Sequence, residues 1–251
     1  MLIRLNRLRE SATAAYVLPL AVFMLLNAVP GLLRIENSEL PWYQRAPEQW
    51  LYPLQTLLVG GLLVFFARHY RLAPWRGFFL AFLLGVVGIL VWIAPAWIYA
   101  RMVAAGSIVP DWLGWFGFVD RTQGFNPEVL ADKPSWQTAA IGMRFLRMVV
   151  VVPLIEELFW RGFLMRYVKA GEVDWQRVPF GQHSWKVYGI VTGLVMLAHD
   201  PADYLAAFVW GSLVYYVAVR TKSLAACVLM HALANLILGL YILKTQQWGF
   251  W

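Results

Sequence analysis

The sequence predicts an all-α fold, a polytopic transmembrane bundle of about seven or eight helices. Apolar residues make up 61% of the 251-residue chain and charged residues only 14%, against about 25% charged in an ordinary soluble domain. A soluble protein of this length could not hide so much apolar surface in one core. The apolar residues also occur in long blocks of the kind that cross a bilayer. The single cysteine, Cys227, excludes a disulfide scaffold.

Seven segments have the length or the apolar character of membrane spans. The first is too long for the apolar region of a cleaved signal peptide, so we expect it to be a retained helix. The fifth is short and stops just before proline, which disfavours a helical conformation in the preceding residue. We therefore expect the fifth and sixth spans to form a hairpin that turns inside the protein. In chain order the predicted spans are Ala12–Leu33, Trp50–Ala67, Gly77–Ala100, Met148–Val168, Val187–His199, Tyr204–Val219 and Ser223–Leu243.

The chain is expected to form a single integrated membrane domain, because no linker or internal repeat divides it. Residues 1–135 would supply N-terminal transmembrane helices and outer loops, and residues 136–251 the helical core that carries the unusual polar residues. Gln137–Arg147 is predicted to be a helix at the outer interface, before the fourth span. Several of the fourteen tryptophans lie near span ends, which is typical of interfacial aromatic belts.

Lysine and arginine in the loops predict the orientation. With the N-terminus inside, the inner segments carry 12 of these residues and the outer segments 8. The loops Arg68–Arg76 and Arg166–Lys186 carry most of this bias, which places them and the N-terminus in the cytoplasm under the positive-inside rule. We expect a multi-pass protein of the cell (inner) membrane. The net charge of +7 is then explained by topology and by anionic headgroups of the lipid bilayer, and no nucleic acid partner is expected.

The fourth span contains two adjacent acids, Glu156 and Glu157, followed by Arg161. An ionisable residue at the centre of a span costs about 2.5–3.5 kcal/mol on insertion scales, so such a pair needs a reason. On a helix Glu157 and Arg161 lie on one face, in the better order for an ion pair. Glu156 points about 100° away. We predict a structural role for Glu157 and a chemical one for Glu156; alternatively, both simply hold helices together.

Three more polar residues lie in later spans: His199 at the end of the fifth, and His231 and Asn235 on one face of the seventh. A lone histidine in a span is more often an interhelical contact. Measured from the inner ends of the spans, however, Glu156, His199 and Asn235 lie about 18 Å deep and His231 about 12 Å deep, at about 1.5 Å per residue. Separate helices therefore bring these groups to one layer of the bilayer.

This set of groups allows three kinds of chemistry. A glutamate and a histidine that share a water form a general base, and a second histidine with an asparagine can stabilise an oxyanion. Alternatively, Glu156, His199 and His231 could be three ligands of a zinc ion. No thiolates and no H-E-x-x-H pair are present, so neither a metal nor another cofactor is expected. A third alternative is a proton or ion relay, although no matching broken helices in two repeats support transport.

The order and spacing of these residues resemble the CPBP family (formerly ABI) of intramembrane endopeptidases, which contains CAAX prenyl endopeptidases and bacteriocin-processing proteins. The resemblance covers about Met148 to Leu243 and rests on three motifs, each in an apolar span. They are Glu156-Glu157-x-x-x-Arg161, then His199, then His231-x-x-x-Asn235.

The resemblance implies an intramembrane endopeptidase that acts on a membrane-associated peptide or protein substrate. It implies that Glu156 and His199 activate water and that His231 and Asn235 form the oxyanion hole. Glu157 and Arg161 would support the helix. Val195 replaces a phenylalanine that the family often carries four residues before the middle histidine, which points to a divergent branch, such as the CAAX-protease-related proteins that accompany exosortase systems. The family also contains members without demonstrated activity, so a non-catalytic immunity factor or sorting-system partner is the alternative.

Overall fold

The computed structural model describes residues 8–37 and 39–251, and this part of the chain contains helices and no strand. Six helices are long and apolar enough to cross a membrane, and one apolar helix is shorter. The chain is therefore a multi-pass, all-helical membrane protein, as predicted. The seven helices are α1 Ala12–Leu33, α2 Glu48–His69, α3 Phe78–Ala104, α4 Pro134–Ala170, α5 Trp185–Leu197, α6 Tyr204–Thr221 and α7 Leu224–Thr245. The N-terminal arginines Arg4 and Arg7, which entered the orientation count, lie outside the described residues.

The ends of several helices follow from local capping chemistry. The Ser11 side chain accepts a hydrogen bond from the backbone N–H of Ala14 (3.1 Å), which fixes the start of α1 at the residue predicted. Ser223 caps α7 in the same way, at 3.1 Å from the N–H of Ala226. A serine side chain that satisfies an N–H of the first turn typically stabilises a helix by about 1 kcal/mol.

Helix α4 is longer than the span predicted at Met148–Val168. It runs for 37 residues and includes the Gln137–Arg147 stretch, which was expected to lie at the outer interface. Its arginines Arg144 and Arg147 are each only 6% exposed. Arg147 stacks on the rings of Phe23 (4.7 Å) and Tyr52 (4.2 Å) and donates to Asn27 Oδ1 at 2.5 Å. Because aromatic faces and an amide solvate the guanidinium, the helix continues through the two charges.

The chain divides into two compact units. The first comprises Met1–Arg71 and Phe125–Phe159, and the second comprises Leu72–Gly124 and Trp160–Trp251. In the first unit α1 packs on α2, and α2 packs on the N-terminal half of α4. The side-chain amide of Gln55 in α2 donates to the carbonyl of Phe23 in α1 at 2.7 Å. A buried polar bond of this kind holds two apolar helices in register where the hydrophobic effect does not act between them.

In the second unit α3 packs on both α6 and α7, and α5 packs on α6. The α5–α6 pair is the predicted hairpin, but α5 ends at Leu197. His199 therefore lies in the connecting turn and not at the end of the helix, which corrects the predicted boundary. The reason is the proline at position 201: its predecessor Asp200 has the extended conformation that proline favours (φ −66°, ψ 150°). Helix α5 is thus only 13 residues long.

Candidate active site

The two acids of α4 differ in their surroundings. Glu157 is completely buried at 0% exposure, and Arg161 is 1% exposed. Glu156, one residue earlier, is half-buried. Leu158–Leu164, which contains Arg161, is π-helical. Stretches of this kind inside α-helices are frequent at functional sites. A fully buried acid and a partly accessible acid thus stand side by side in the sequence, at the edge of an irregular helical turn.

The imidazole of His199 is fixed by its own helix. Its Nδ1 lies 2.8 Å from the backbone carbonyl oxygen of Val195, the last turn of α5. A carbonyl oxygen only accepts, so Nδ1 donates in this bond and the neutral ring carries its proton there. The lone pair then resides on Nε2, because a neutral imidazole has one donor and one acceptor nitrogen. The backbone at Val195 therefore selects the tautomer that can take up a proton at Nε2.

Two tryptophans lie against the two histidines of the predicted site. The ring of Trp92, in α3, lies edge to face on His199 with centroids 5.3 Å apart. The ring of Trp210, in α6, lies on His231 at 5.4 Å in the same kind of arrangement. Edge-to-face contacts at these distances are the favoured geometry of aromatic pairs. Each imidazole is thus restricted on one side by an indole.

His231 and Asn235 both lie on α7, four residues apart. His231 is 6% exposed, and Asn235 is half-buried. Residues four apart are neighbours on one face of an α-helix. Since an asparagine amide supplies two N–H donors and an imidazole supplies at least one, this face of α7 can present several donors to an oxygen atom.

A glycine of α3 permits the close packing behind His231. A methyl group placed on Gly88 would lie only 2.8 Å from Cε3 of Trp210 and 3.3 Å from Leu213. Only glycine therefore lets the indole approach the backbone of α3 this closely. Gly88 and Trp92 are four residues apart and share a helix face. One face of α3 thus supports Trp210 and also carries the indole that contacts His199.

Metal binding was considered as an alternative for the same residue types. Among residues 8–37 and 39–251, no group of three or more His, Cys, Asp or Glu side chains has an arrangement that could hold a metal ion. The single cysteine, Cys227, is fully buried in α7 and packs there. It donates to the carbonyl of Ser223, one turn earlier, at 3.5 Å.

Comparison with known protein families identifies the middle and C-terminal part of the chain. Residues 138–237 match the family model described as "Type II CAAX prenyl endopeptidase Rce1-like". These residues, called the CPBP segment below, are thus similar to the CPBP family of the CAAX proteases. The CPBP segment contains every residue of the three motifs, from Glu156 to Asn235. No curated protein and no solved structure matches the chain significantly.

Within the CPBP segment, the second unit holds His199, His231 and Asn235 in the turn after α5 and on α7, with Arg161 buried in α4. Glu156 and Glu157 belong to the first unit. Arg161 donates to the carbonyl of Gly211 in α6 at 3.4 Å. Val195, where the family often has phenylalanine, is 1% exposed and packs at the crossing of α5 with α6 near Gly211.

Sequence reasoning missed the two tryptophans that back the histidines. The tryptophans were interpreted as interfacial belts because several lie near span ends, yet Trp92 and Trp210 lie near the middle of α3 and α6. Tryptophan prefers the ends of spans, so a mid-span position was the signal that could have singled them out. Trp92 also lies outside the CPBP segment, so the family motifs alone could not have pointed to it.

Proposed function

We propose that this protein is an intramembrane endopeptidase that hydrolyses a peptide bond close to the membrane in a membrane-associated peptide or protein. The observation that carries the proposal is the state of His199 in the CPBP segment. Its Nδ1 is bound to the Val195 carbonyl, which leaves Nε2 able to accept a proton from water. A positioned side chain with a free lone pair can act as a general base, and the bond to the Val195 carbonyl gives His199 both properties.

In the proposed mechanism, Glu156 and His199 activate one water molecule. The water oxygen attacks the carbonyl carbon of the scissile bond while the Glu156–His199 pair, acting as the base, removes a proton from the water. The carbonyl double bond opens, and its electron pair moves to the oxygen. When the tetrahedral intermediate collapses, the C–N bond breaks and the leaving amine receives the proton that the base had taken. Glu156 is assigned to this step, and not Glu157, because it is the less buried of the two.

His231 and Asn235 are proposed to stabilise the negative charge that develops on the carbonyl oxygen. They lie on one face of α7 and both can donate hydrogen bonds. Preorganised donors in a site that excludes water stabilise an oxyanion strongly, because little reorganisation is needed when the charge forms. Trp210, which lies against His231, would keep that donor in one orientation.

A metal-dependent mechanism would use the same residues differently. Glu156, His199 and His231 would then be ligands of zinc, which would polarise the substrate carbonyl and lower the pKa of a bound water. The purified protein, reconstituted in vesicles with a quenched-fluorescent membrane-anchored peptide, separates the two mechanisms. We expect activity to survive exhaustive chelation and to be independent of added zinc or cobalt. Loss on chelation, restoration by zinc and stoichiometric metal in the protein would establish the metal mechanism instead.

The native substrate can be identified by comparing the N- and C-terminal peptides of membranes that contain the parent protein with those that contain Glu156→Gln. New termini that depend on the parent protein and map close to a predicted span would identify the cleaved bond. If neither protein generates new termini or cleaves the reconstituted peptide, the chain acts without catalysis, as an immunity factor or as a partner of a sorting enzyme.

A further inference from the structure

The turn that carries His199 has few bonds of its own. This turn, residues 198–203, joins α5 to α6 and is called the His199 turn below. The N–H of Ala198 bonds back to Leu194 (3.0 Å) and Val195 (3.3 Å) in α5, and that of His199 to Met196 (3.2 Å). Among the backbone bonds of the described residues, one joins two residues of the turn, from the N–H of Asp203 to the carbonyl of Asp200 (2.8 Å). Pro201 has no N–H to donate. A six-residue turn with so little internal bonding depends on neighbouring segments for a single conformation.

An ion pair supplies that support from the loop that follows α3. Arg121 donates hydrogen bonds to Asp203 from both terminal nitrogens: Nη2 lies 2.5 Å from Oδ1, and Nη1 lies 3.4 Å from Oδ2. The side chains are 9% and 14% exposed, so solvent screens the pair little. A two-point arginine–carboxylate contact fixes the direction as well as the distance of the carboxylate.

Arg121 is itself held by the C-terminal residues of the chain. Its guanidinium lies 4.8 Å from the centre of the Phe250 ring, and its backbone carbonyl accepts a hydrogen bond from the N–H of Gly249 at 2.8 Å. The C-terminal residues therefore hold Arg121 in place, and Arg121 can hold the His199 turn through Asp203. A cation held over an aromatic face keeps a defined side-chain position.

A second contact seats the same loop on the His199 turn. Gly117 has φ +89°, a conformation that side chains rarely adopt, and a methyl group there would lie 3.3 Å from the carbonyl oxygen of Ala202 and 3.1 Å from Pro95. The loop backbone can approach the turn this closely only because residue 117 is glycine. The loop thus meets the turn both at Ala202 and at Asp203.

We infer that Arg121 and Asp203 are positioning residues that hold the His199 turn, and with it the base His199, in the conformation required for catalysis. The inference rests on the proposed function for its catalytic part only. Asp203 is four residues from His199. Of the ion pairs among the described residues, only the Arg121–Asp203 pair involves the His199 turn. A displacement of about 1 Å of a catalytic group can cost about 10²-fold in rate.

The test uses the full chain in detergent or vesicles and the variants Asp203→Asn, Arg121→Gln and the double variant. The matched control is Arg34→Gln, which removes the partner of another mostly buried carboxylate, Glu48 at 3.0 Å, in the first unit. Hydrogen exchange of the 198–203 amides is measured for each protein, together with the thermal midpoint and, for the membrane-anchored peptide, kcat and KM.

We expect the amides of the His199 turn to exchange about tenfold faster or more in all three pair variants. We expect kcat to fall about 10- to 100-fold with little change in KM, and the double variant to be no worse than the single ones. Arg34→Gln should lower the thermal midpoint without either effect. Unchanged exchange at 198–203, or a fall in kcat that merely follows the amount of folded protein, would overturn the inference.

The exchange measurement keeps this inference separate from the proposed function. If Glu156→Gln and His199→Ala still cleave the peptide while the pair variants loosen the turn, the catalytic proposal fails and the structural role of the pair remains. If those two variants are inactive while the pair variants leave the turn and kcat as in the parent, the proposed function stands and the positioning role is wrong.

Discussion

The indole of Trp92 lies edge to face on the imidazole of His199, with ring centroids 5.3 Å apart and ring planes inclined by 63°. His199 also makes a hydrogen bond from its Nδ1 to the Val195 carbonyl, which restrains the same imidazole at its Nδ1 edge. Together the two contacts limit rotation of the ring about both of its side-chain torsions. Nε2 therefore has a defined direction before any substrate binds.

Replacing Trp92 by alanine should impair catalysis more than stability. An edge-to-face aromatic pair is worth about 0.5–1.5 kcal/mol, so we expect kcat to fall about 3- to 10-fold with KM nearly unchanged. Steady-state cleavage of the anchored peptide measures this. Trp97→Ala is the control, because Trp97 lies on the same helix and is 47% exposed. Equal losses in the two variants would show that the contact with His199 is not the cause.

The two acids of α4 should respond differently to the same substitution. Glu156→Gln should abolish cleavage and leave the thermal midpoint near that of the parent, since Glu156 is half-buried and the amide keeps its size. Glu157→Gln should lower the thermal midpoint and the membrane yield, because it removes a negative charge from a site at 0% exposure, four residues from the buried Arg161. Thermal unfolding in detergent and cleavage assays test both. The reverse pattern would exchange the roles of the two residues.

Asn235→Ala should slow turnover by about 10²–10³-fold, the usual size for losing one oxyanion donor. KM should change little, because the donor acts on charge that develops only in the transition state. The adjacent Leu236→Ala is a suitable control, since Leu236 is 38% exposed on another face of α7. A rise in KM at constant kcat would indicate that Asn235 binds substrate instead.

Adding one methyl group to α3 should disturb His231 from a distance. Gly88→Ala places a carbon 2.8 Å from the Trp210 ring, so the indole must move, and overpacking of this kind costs about 1–3 kcal/mol. We expect a lower thermal midpoint and reduced kcat. Gly61→Ala in α2 is the matched control, because nothing lies within 4 Å of the added carbon. That variant should keep its activity and equal or exceed the parent in stability. Full activity of Gly88→Ala would argue against the support of Trp210 by α3.

Reporter fusions test the orientation. A fusion after Arg71 should report the cytoplasm and one after Phe118 the opposite side, because the lysine and arginine count places the Arg68–Arg76 loop inside. If the Arg71 fusion reports the outer side, the orientation is reversed for every span.

The positions of most helices could be predicted from composition, because an apolar block bounded by polar residues is a local property. Ala12–Leu33 agrees at both ends, and Ser11 supplies the cap that marks its start. The fourth span could not be predicted in this way. Arg144 and Arg147 indicate an interface when considered locally, and only the rings of Phe23, Tyr52 and Phe125, which are distant in sequence, allow them to be buried.

The candidate site was predictable in its residue types and not in its supports. Adjacent acids and mid-span histidines are costly in a bilayer, so they stand out in any apolar sequence. Trp92, Trp210 and Gly88 are ordinary residues for a membrane helix. The contacts of the two indoles with the histidines, and of Gly88 with Trp210, depend on how the helices of the second unit pack. The end of α5 at Leu197 was also missed by two residues, although the proline that causes it was visible.

The length of α5 has a consequence for the surrounding lipid. Its 13 residues measure about 20 Å at about 1.5 Å per residue, whereas a hydrocarbon core is about 30 Å thick. Trp185, Leu194 and Leu197 present exposed apolar side chains along this short cylinder. We expect acyl chains next to it to shorten or tilt in order to cover these side chains, which would thin the bilayer beside the helix that leads to His199. Membrane thickness then becomes a determinant of turnover, and vesicles of short-chain phospholipids should support faster cleavage than vesicles of long-chain ones.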